Sequence, residues 1–479
     1  MPRKRPCLLE PCPCAPVQSA PLVSLDLKRK LGRLGAPSPG GASHAQAHEQ
    51  ARPHERERPH EQEVRSEPAP YAPGDTHLEV DRERKERVAM LRALIAKKQA
   101  ETSSRIAKER TPEPLPGELV ETADGPLHRV ARYLEPGHHH GRTPIVKSLG
   151  VSAKSLAALA LDASLCDIDP RKFLFLDTET TGLSGGTGTL PFLIGMAWFE
   201  DESLCLEQLL LRKPGEEKPM LKRVAERMRE ASAIVTYNGK SFDWPLVRTR
   251  AVMNRVPLPP PVAHLDLLHA ARRVFGPRLK AVKLTQMEAN VLGLRREHDI
   301  DGAEIPPLFW DFVRGADGST LTPVIEHNAN DLVALAALVV VLAERWDGAL
   351  PHHAPEDQLA VAKVAFRYGD HPRALARARS AADAGGDAKT TAAALVLGAK
   401  AARKTDDLRV EEAMLHEALT HALGDEREHV HLSLAKLYEH KHQDFERALH
   451  HLHQAGESET DEARTKRHTR LEAKRLRRS

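Results

Sequence analysis

Phe173-Leu174-Phe175-Leu176-Asp177-Thr178-Glu179-Thr180-Thr181-Gly182-Leu183 decides how this chain is read. Four consecutive apolar residues suit a central strand covered on both faces. Residues two apart on a strand point the same way, so Asp177 and Glu179 present two carboxylates side by side where the apolar run ends. Two such anions repel and are costly to desolvate. A solvated strand end is the ordinary alternative; a bound divalent cation is the informative one.

Working outward, Phe192 to Phe199 and Cys205 to Leu211 read as two further strands, close enough to be antiparallel neighbours. A helix over Met220 to Ala231 and a short strand, Ala233 to Tyr237, follow. The alternation from 171 to 346 predicts an α/β domain with a mixed sheet. Large rings supply much of a core's buried area. All four Trp and eight of the ten Phe fall between Phe173 and Trp346, so the best-packed domain is expected there.

Two more elements add carboxylates. Asn238-Gly239-Lys240-Ser241-Phe242-Asp243 follows the Ala233–Tyr237 strand. Gly239-Lys240-Ser241 mimics the end of a phosphate-binding loop, but Ile234 stands where that motif needs glycine, so the reading fails. Asp243 remains at a loop-to-helix junction, where it could equally stabilise the helix dipole. Thr322-Pro323 then starts an apolar helix carrying Glu326-His327-Asn328-Ala329-Asn330-Asp331. His327 and Asp331 stack on one face. Asp331 needs a partner there, and the helix offers no arginine before Arg345. Asp266 is expected to cap the helix after it. Basic residues follow the second element: Arg248, Arg250, Arg272, Arg273, Arg278, Lys280 and Lys283. Some are expected to track a phosphate backbone, the rest to be ordinary helix surface.

Four carboxylates and an imidazole in this order resemble the DEDD 3′–5′ exonucleases (the DnaQ-type group) of the ribonuclease-H-like superfamily, and more closely its YprB-type family. The motifs above carry the resemblance, with His264-Leu265-Asp266-Leu267-Leu268 and Ala303-Glu304-Ile305-Pro306, over about 115–345. The resemblance implies a ribonuclease-H-like mixed sheet flanked by helices and two Mg2+ or Mn2+ ions. Asp177, Glu179 and Asp331 would hold the ion that activates water, and Asp177 with Asp243 the ion on the leaving oxygen. It implies His327 as general base, Thr178, Thr180 and Leu183 along the terminal nucleotide, and Asn238 and Lys240 near it. The implied activity is 3′–5′ exonuclease hydrolysis of single-stranded DNA or RNA to nucleoside 5′-monophosphates; a structure-specific endonuclease and a silent binding scaffold are the alternatives. One departure is plain. Three residues separate His327 from Asp331, the spacing of the tyrosine-bearing subgroups, whereas histidine subgroups use four.

The flanks differ in character. The chain has 479 residues, with 70 Lys+Arg against 67 Asp+Glu and a net charge of +3. That balance excludes a uniformly basic nucleic-acid coat. Residues 1–78 are rich in proline and charge without apolar periodicity, and are expected to be disordered. Residues 79–112 read as an amphipathic helix, and 113–346 as the nuclease-like domain. Within the latter, Pro114 to Gly150 reads as a connector whose His138-His139-His140 is a solvated loop rather than a metal site. In 347–479, Ala-Lys recurs at Lys363, Lys400 and Lys436, close to the tetratricopeptide period, which predicts an all-α tetratricopeptide-like array able to bind a protein partner. The basic tail from Arg464 to Arg478 reads as a solvated helix end or a weak phosphate contact.

The five cysteines form no disulfide or zinc pattern, so free reduced thiols in the cytoplasm are expected. Met1-Pro2-Arg3-Lys4-Arg5-Pro6 has no apolar stretch behind it and reads as no signal peptide. The apolar run Leu332 to Ala343 is too short to span a bilayer.

Overall fold

A computed structural model of the chain describes residues 114–182, 188–260, 262–348 and 354–478. The expectations for 1–78, for 79–112 and for Leu183 lie outside the described residues.

Among the described residues nine strands form: β1 Glu118–Thr122, β2 Gly125–Leu134, β3 His139–His140, β4 Thr143–Pro144, β5 Phe173–Thr180, β6 Pro191–Glu200, β7 Ser203–Leu210, β8 Ala233–Thr236 and β9 Ala263–Asp266. Seven make one mixed sheet in the order β1-β2-β7-β6-β5-β8-β9, while β3 and β4 pair as a minimal hairpin. β5 pairs antiparallel with β6 and parallel with β8. The helices that cover the sheet are α1 Ala153–Ala160, α2 Glu217–Glu230, α3 Asp243–Met253, α4 Leu267–Val274, α5 Ile305–Val313 and α6 Thr322–Asp347.

The reading of Pro114 to Gly150 as a connector is corrected: Glu118–Leu134 is a hairpin that extends the sheet along β7. The hairpin hides in the sequence because it lies near the sheet edge and interleaves charged residues with its apolar ones. Its inward apolar contribution is mainly Leu127 and Val130, while Arg129 pairs with Glu118 and Glu207. The histidine triplet also differs from expectation. His139 is exposed, but His140 is buried, with Nε2 at 2.7 Å from Glu288 Oε1.

The alternation along β5 sorts the core into two layers. Phe173 and Phe175 face α6 and α4, in a cluster with Leu332, Leu335 and Val274. Leu174 and Leu176 face the other way, with Met220, Leu221 and Val224 of α2 and Val247 of α3. Continuing that alternation directs Asp177 and Glu179 toward the α6 face and Thr178 toward the α3 face. The 318–347 stretch is long and apolar enough to cross a membrane by composition alone, yet 78% of its apolar window is buried within the domain. It is the core helix of the fold, longer than the apolar run alone suggests.

Beyond α6 come α7 Pro355–Tyr368, α8 His371–Asp383, α9 Ala388–Lys404, α10 Leu408–His421, α11 Gly424–Leu437, α12 Phe445–Gln454 and α13 Asp461–Leu476. Each packs on its neighbour in sequence. Aspartates open four of them, Asp370, Asp387, Asp407 and Asp444 each accepting from a backbone N–H three residues on, which satisfies donors the helix itself leaves orphaned. The helical region is not a loose appendage. Val361, Val364 and Ala365 of α7 belong to the same apolar cluster as β5 and α6, and Asp357 accepts from Arg278 Nε and Nη2 at 2.9 and 3.0 Å.

The basic tail is corrected too. Arg467, Arg470 and Lys474 of α13 converge at 2.7–3.2 Å on Glu439, whose side chain is fully buried. Burial pushes that carboxyl up, but hydrogen bonds from Arg470 and Lys474 outweigh it and bring it down to about 2. Several tail cations thus fasten the last helix instead of being held free for a phosphate. Cys166 and Cys205 are unpaired thiols.

Candidate active site

Asp177 and Glu179 stand at the end of β5, where the ladder to β6 shifts register between Glu179 and Thr180. Such an irregularity ends regular pairing and re-aims side chains. Asp177 Oδ2 accepts from Asn328 Nδ2 at 2.8 Å. Asn328, buried in the first turns of α6, accepts through Oδ1 from Gln208 Nε2 of β7 at 2.9 Å. Asp243 begins α3, and its Oδ1 accepts from the Thr178 hydroxyl at 2.5 Å. The two faces of one strand therefore serve one site: Asp177 is held from α6 and Asp243 from β5.

Asp331 completes the acidic set from α6. Its charge and that of Asp243 act on both Asp177 and Glu179, whose carboxyls are pushed well above the usual range, first by lost hydration and then by these like charges. Burial lifts Asp243 to about 6 despite the Thr178 hydrogen bond. Asp331 is raised by burial, against the pull of Arg296 and His327. Solvent still reaches these groups in part, except for the nearly covered Asp243.

The partner of Asp331 is Arg296, which comes from the irregular segment before α5 and not from α6. Its Nη2 lies 2.5 Å from Asp331 Oδ1, its Nε 2.8 Å from Glu288 Oε2 and its Nη1 3.3 Å from Asp299 Oδ2. His327 Nδ1 is 2.7 Å from Asp299 Oδ1, and its Nε2 is 3.8 Å from Asp331 Oδ2. Glu326, in the alternative register, points away and pairs with Arg132 of β2 at 2.6 and 2.7 Å. An open cavity of about 460 Å³ lies beside His327, lined among others by His298, Asp299, Glu326 and Asn330.

The other expected site residues are placed as follows. Thr180 donates to Gly182 O at 2.9 Å. The loop of Asn238 and Lys240 is pinned by Asp266, which accepts from both their backbone N–H groups at 2.8 and 3.0 Å and from Leu268 N at 3.1 Å. Asp266 thus caps α4 as expected and also fixes Asn238, whose φ is +71°. Lys240 is exposed. Three expected basic contacts are committed internally: Arg250 to Glu217, Arg273 to Leu159 O and Arg278 to Asp357. Asn328, Gln208, Arg296, Glu288 and Asp299 were not legible as a set. Arg296, Glu288 and Asp299 lie near one another in sequence, but the bonds that bring this set to Asp177, His327 and Asp331 join distant segments.

Among the described residues no three His, Cys, Asp or Glu side chains converge as a closed metal-ligand group. The donor set is still one that fits a hard divalent cation: oxygen ligands, partly desolvated, with Asp331 and Asp243 raising Asp177 and Glu179.

Gly195 lies opposite Asp177 in the β5–β6 ladder. A Cβ there would stand 2.1 Å from Asn328 Oδ1. Gly195→Ala is therefore expected to displace the Asn328 amide from Asp177 and to destabilise the domain by about 1–3 kcal/mol, the usual range for overpacking a core. Urea unfolding measures the loss, and an unchanged midpoint would refute the tight fit.

The RNase_H superfamily matches residues 174–343. A Bacillus subtilis (strain 168) protein, "Uncharacterized protein YprB", is 33% identical over 282 residues, which are 57% of this chain and 67% of that relative. Among solved structures, the family B DNA polymerase of the hyperthermophilic archaeon Pyrobaculum calidifontis is similar at 14% identity and a TM-score of 0.29. That likeness covers 48% of this chain and 29% of the polymerase, less than a third of its length. With the superfamily match spanning β5 to α6 and a relative matched over two thirds of its length, the chain belongs to the RNase-H-like family.

Proposed function

We propose that the chain is a divalent-metal-dependent nuclease of the DEDD type, a 3′–5′ exonuclease on single-stranded DNA or RNA that releases nucleoside 5′-monophosphates. An RNase-H-like domain supports phosphodiester hydrolysis in general. The observation that carries the finer reading is that carboxylates from three separate segments lie near enough for Asp331 and Asp243 to push Asp177 and Glu179 upward, with burial raising all four. A fold does not gather mutually repelling, partly buried anions for its own stability.

In this reading Asp177, Glu179 and Asp331 would hold one ion, and Asp177 and Asp243 the other. When bound, Mg2+ or Mn2+ supplies Lewis acidity that eases deprotonation of water and neutralises charge developing at phosphorus. The chain's own residues do the rest. Asn328 fixes the rotamer of Asp177, and Thr178 that of Asp243. His327 takes up the proton of the attacking water through Nε2, the nitrogen turned toward Asp331. Lys240, exposed and 3.9 Å from Asp162 Oδ2, is read as a cation for a phosphate. The helical region, with its sequential packing and repeated aspartate caps, is read as a tetratricopeptide-like array that engages a protein partner.

End-labelled single-stranded DNA and RNA incubated with Mg2+ or Mn2+ test the reading on one gel. A ladder of single-nucleotide steps from the 3′ end, dependent on metal, is expected. A few discrete cuts would establish an endonuclease instead, and no metal-dependent product would refute the enzyme.

A further inference from the structure

Four side chains close a ring at the head of α6. His327 Nδ1 meets Asp299 Oδ1 at 2.7 Å, Asp299 Oδ2 meets Arg296 Nη1 at 3.3 Å, Arg296 Nη2 meets Asp331 Oδ1 at 2.5 Å, and Asp331 Oδ2 faces His327 Nε2 at 3.8 Å. Arg296, whose side chain is 6% exposed, is anchored behind the ring on Glu288, and Glu288 in turn on His140. The ring is thus fastened to the β3–β4 hairpin and cannot drift with solvent.

The two nitrogens of His327 differ in what they meet. Nδ1 is at hydrogen-bond distance from a carboxylate that is itself held by a guanidinium. An ionised carboxylate can only accept, so Nδ1 must carry a proton. Nε2 stands 3.8 Å from Asp331, too far for a hydrogen bond, and is open toward the acidic set. A neutral ring in this setting keeps its lone pair on Nε2. Free imidazole side chains ordinarily favour the other tautomer, so the environment has to impose this one.

We infer that Asp299 is a positioning residue: with Arg296 behind it, it holds His327 in the Nδ1–H tautomer and aims the Nε2 lone pair at the carboxylate cluster. The inference rests on the nuclease reading for its purpose, because only a proton acceptor gains from that aim. Its logic is that of a carboxylate orienting a catalytic imidazole in unrelated hydrolases. It also explains the shortened spacing between His327 and Asp331. A ring one turn before Asp331 on the same face needs a lateral tether, which a residue outside the helix supplies.

The test is a long-range 1H–15N correlation spectrum of 15N-histidine-labelled, metal-free protein, with Asp299→Ala alongside and His327→Gln to identify the signal. In the wild type His327 is expected as the Nδ1–H tautomer, and in Asp299→Ala as mainly Nε2–H. An Nε2–H tautomer in the wild type, a doubly protonated ring at neutral pH, or a spectrum unmoved by Asp299→Ala would each overturn the inference. Should Asp299→Ala not fold, the wild-type spectrum alone decides, and Asp299→Asn gives a second comparison. In turnover on single-stranded substrate, Asp299→Ala is expected to lower kcat on the order of 10- to 100-fold with little change in KM, as loss of an orienting partner does elsewhere. An unchanged kcat beside a shifted tautomer would overturn the positioning role. The spectrum needs no activity, so a wild type that cuts nothing refutes the nuclease reading and leaves the tautomer result to stand or fall by itself.

Discussion

Asp177→Asn is expected to abolish metal-dependent hydrolysis, by on the order of 10³-fold or more, and at the same time to melt higher than the wild type when both are free of metal. The first half follows from the place of Asp177 in the acidic set, where it is the one carboxylate assigned to both ions. The second follows from its pKa. Burial and the charges of Asp331, Asp243 and Glu179 push its carboxyl well above the usual range, so the ionised form costs free energy in the fold. An amide has the same shape and no charge, and it can still accept from Asn328 Nδ2. Discounted for partial solvent access, the gain is about 1–2 kcal/mol, or roughly 2–8 °C for a unit of this size.

The sign with pH follows from linkage. A carboxyl raised in the folded state keeps its proton to higher pH than the unfolded chain does. Its contribution to stability is therefore lost as pH rises from the ordinary carboxylate range through the folded values, about 6 for Asp243. The wild type should fall behind Asp177→Asn between pH 5 and pH 8, and Mn2+ should reverse the order by binding the ionised set. Scanning calorimetry with and without Mn2+ checks this. A variant less stable than metal-free wild type throughout that range would show the site to be preformed without strain.

The acidic strand was legible because its two signals are local. The apolar run Phe173–Leu176 and the alternating Asp177 and Glu179 occupy one strand, and burial on both faces is written in its composition. Asp331 was legible as a charge heading an apolar helix, but helical spacing reveals only partners within α6 itself, such as the i−4 neighbour His327. Arg296 reaches it from 35 residues away, along a segment in which His298 takes φ +60°. No helical or strand period survives such a turn, so nothing in the sequence announces that Arg296 and Asp299 face the site. The β1–β2 hairpin leaves little trace in the sequence for a related reason: an element at the sheet edge satisfies its charged residues by cross-strand ion pairs and shows little apolar alternation. Asn328 carries no signal of its own in the sequence, because its use depends on Gly195 leaving room across the sheet.

Removing Arg296 should act in the opposite direction to neutralising Asp177. Arg296→Met is expected to cost about 3–5 kcal/mol, the range for breaking a buried ion pair by deleting one partner. One nearly buried guanidinium serves Asp331, Glu288 and Asp299 together, and a methionine leaves all three without their cation. Arg296→Lys should recover only part of the loss, because an ammonium is a point charge and cannot reach three carboxylates from one planar fork. The loss should grow with pH. Arg296 is the strongest influence holding Asp331 down against burial, so without it the ionised Asp331 becomes costlier as protons leave. Pairing Arg296→Met with Glu288→Gln should return about 1–2 kcal/mol, since the deleted cation then leaves one fewer unmatched anion. Urea unfolding of the four proteins at pH 5.5 and pH 7.5 measures every term. A loss under about 1 kcal/mol that does not change with pH would mean that water replaces the guanidinium freely, and the acidic set would then owe its arrangement to Asn328 and Thr178 alone.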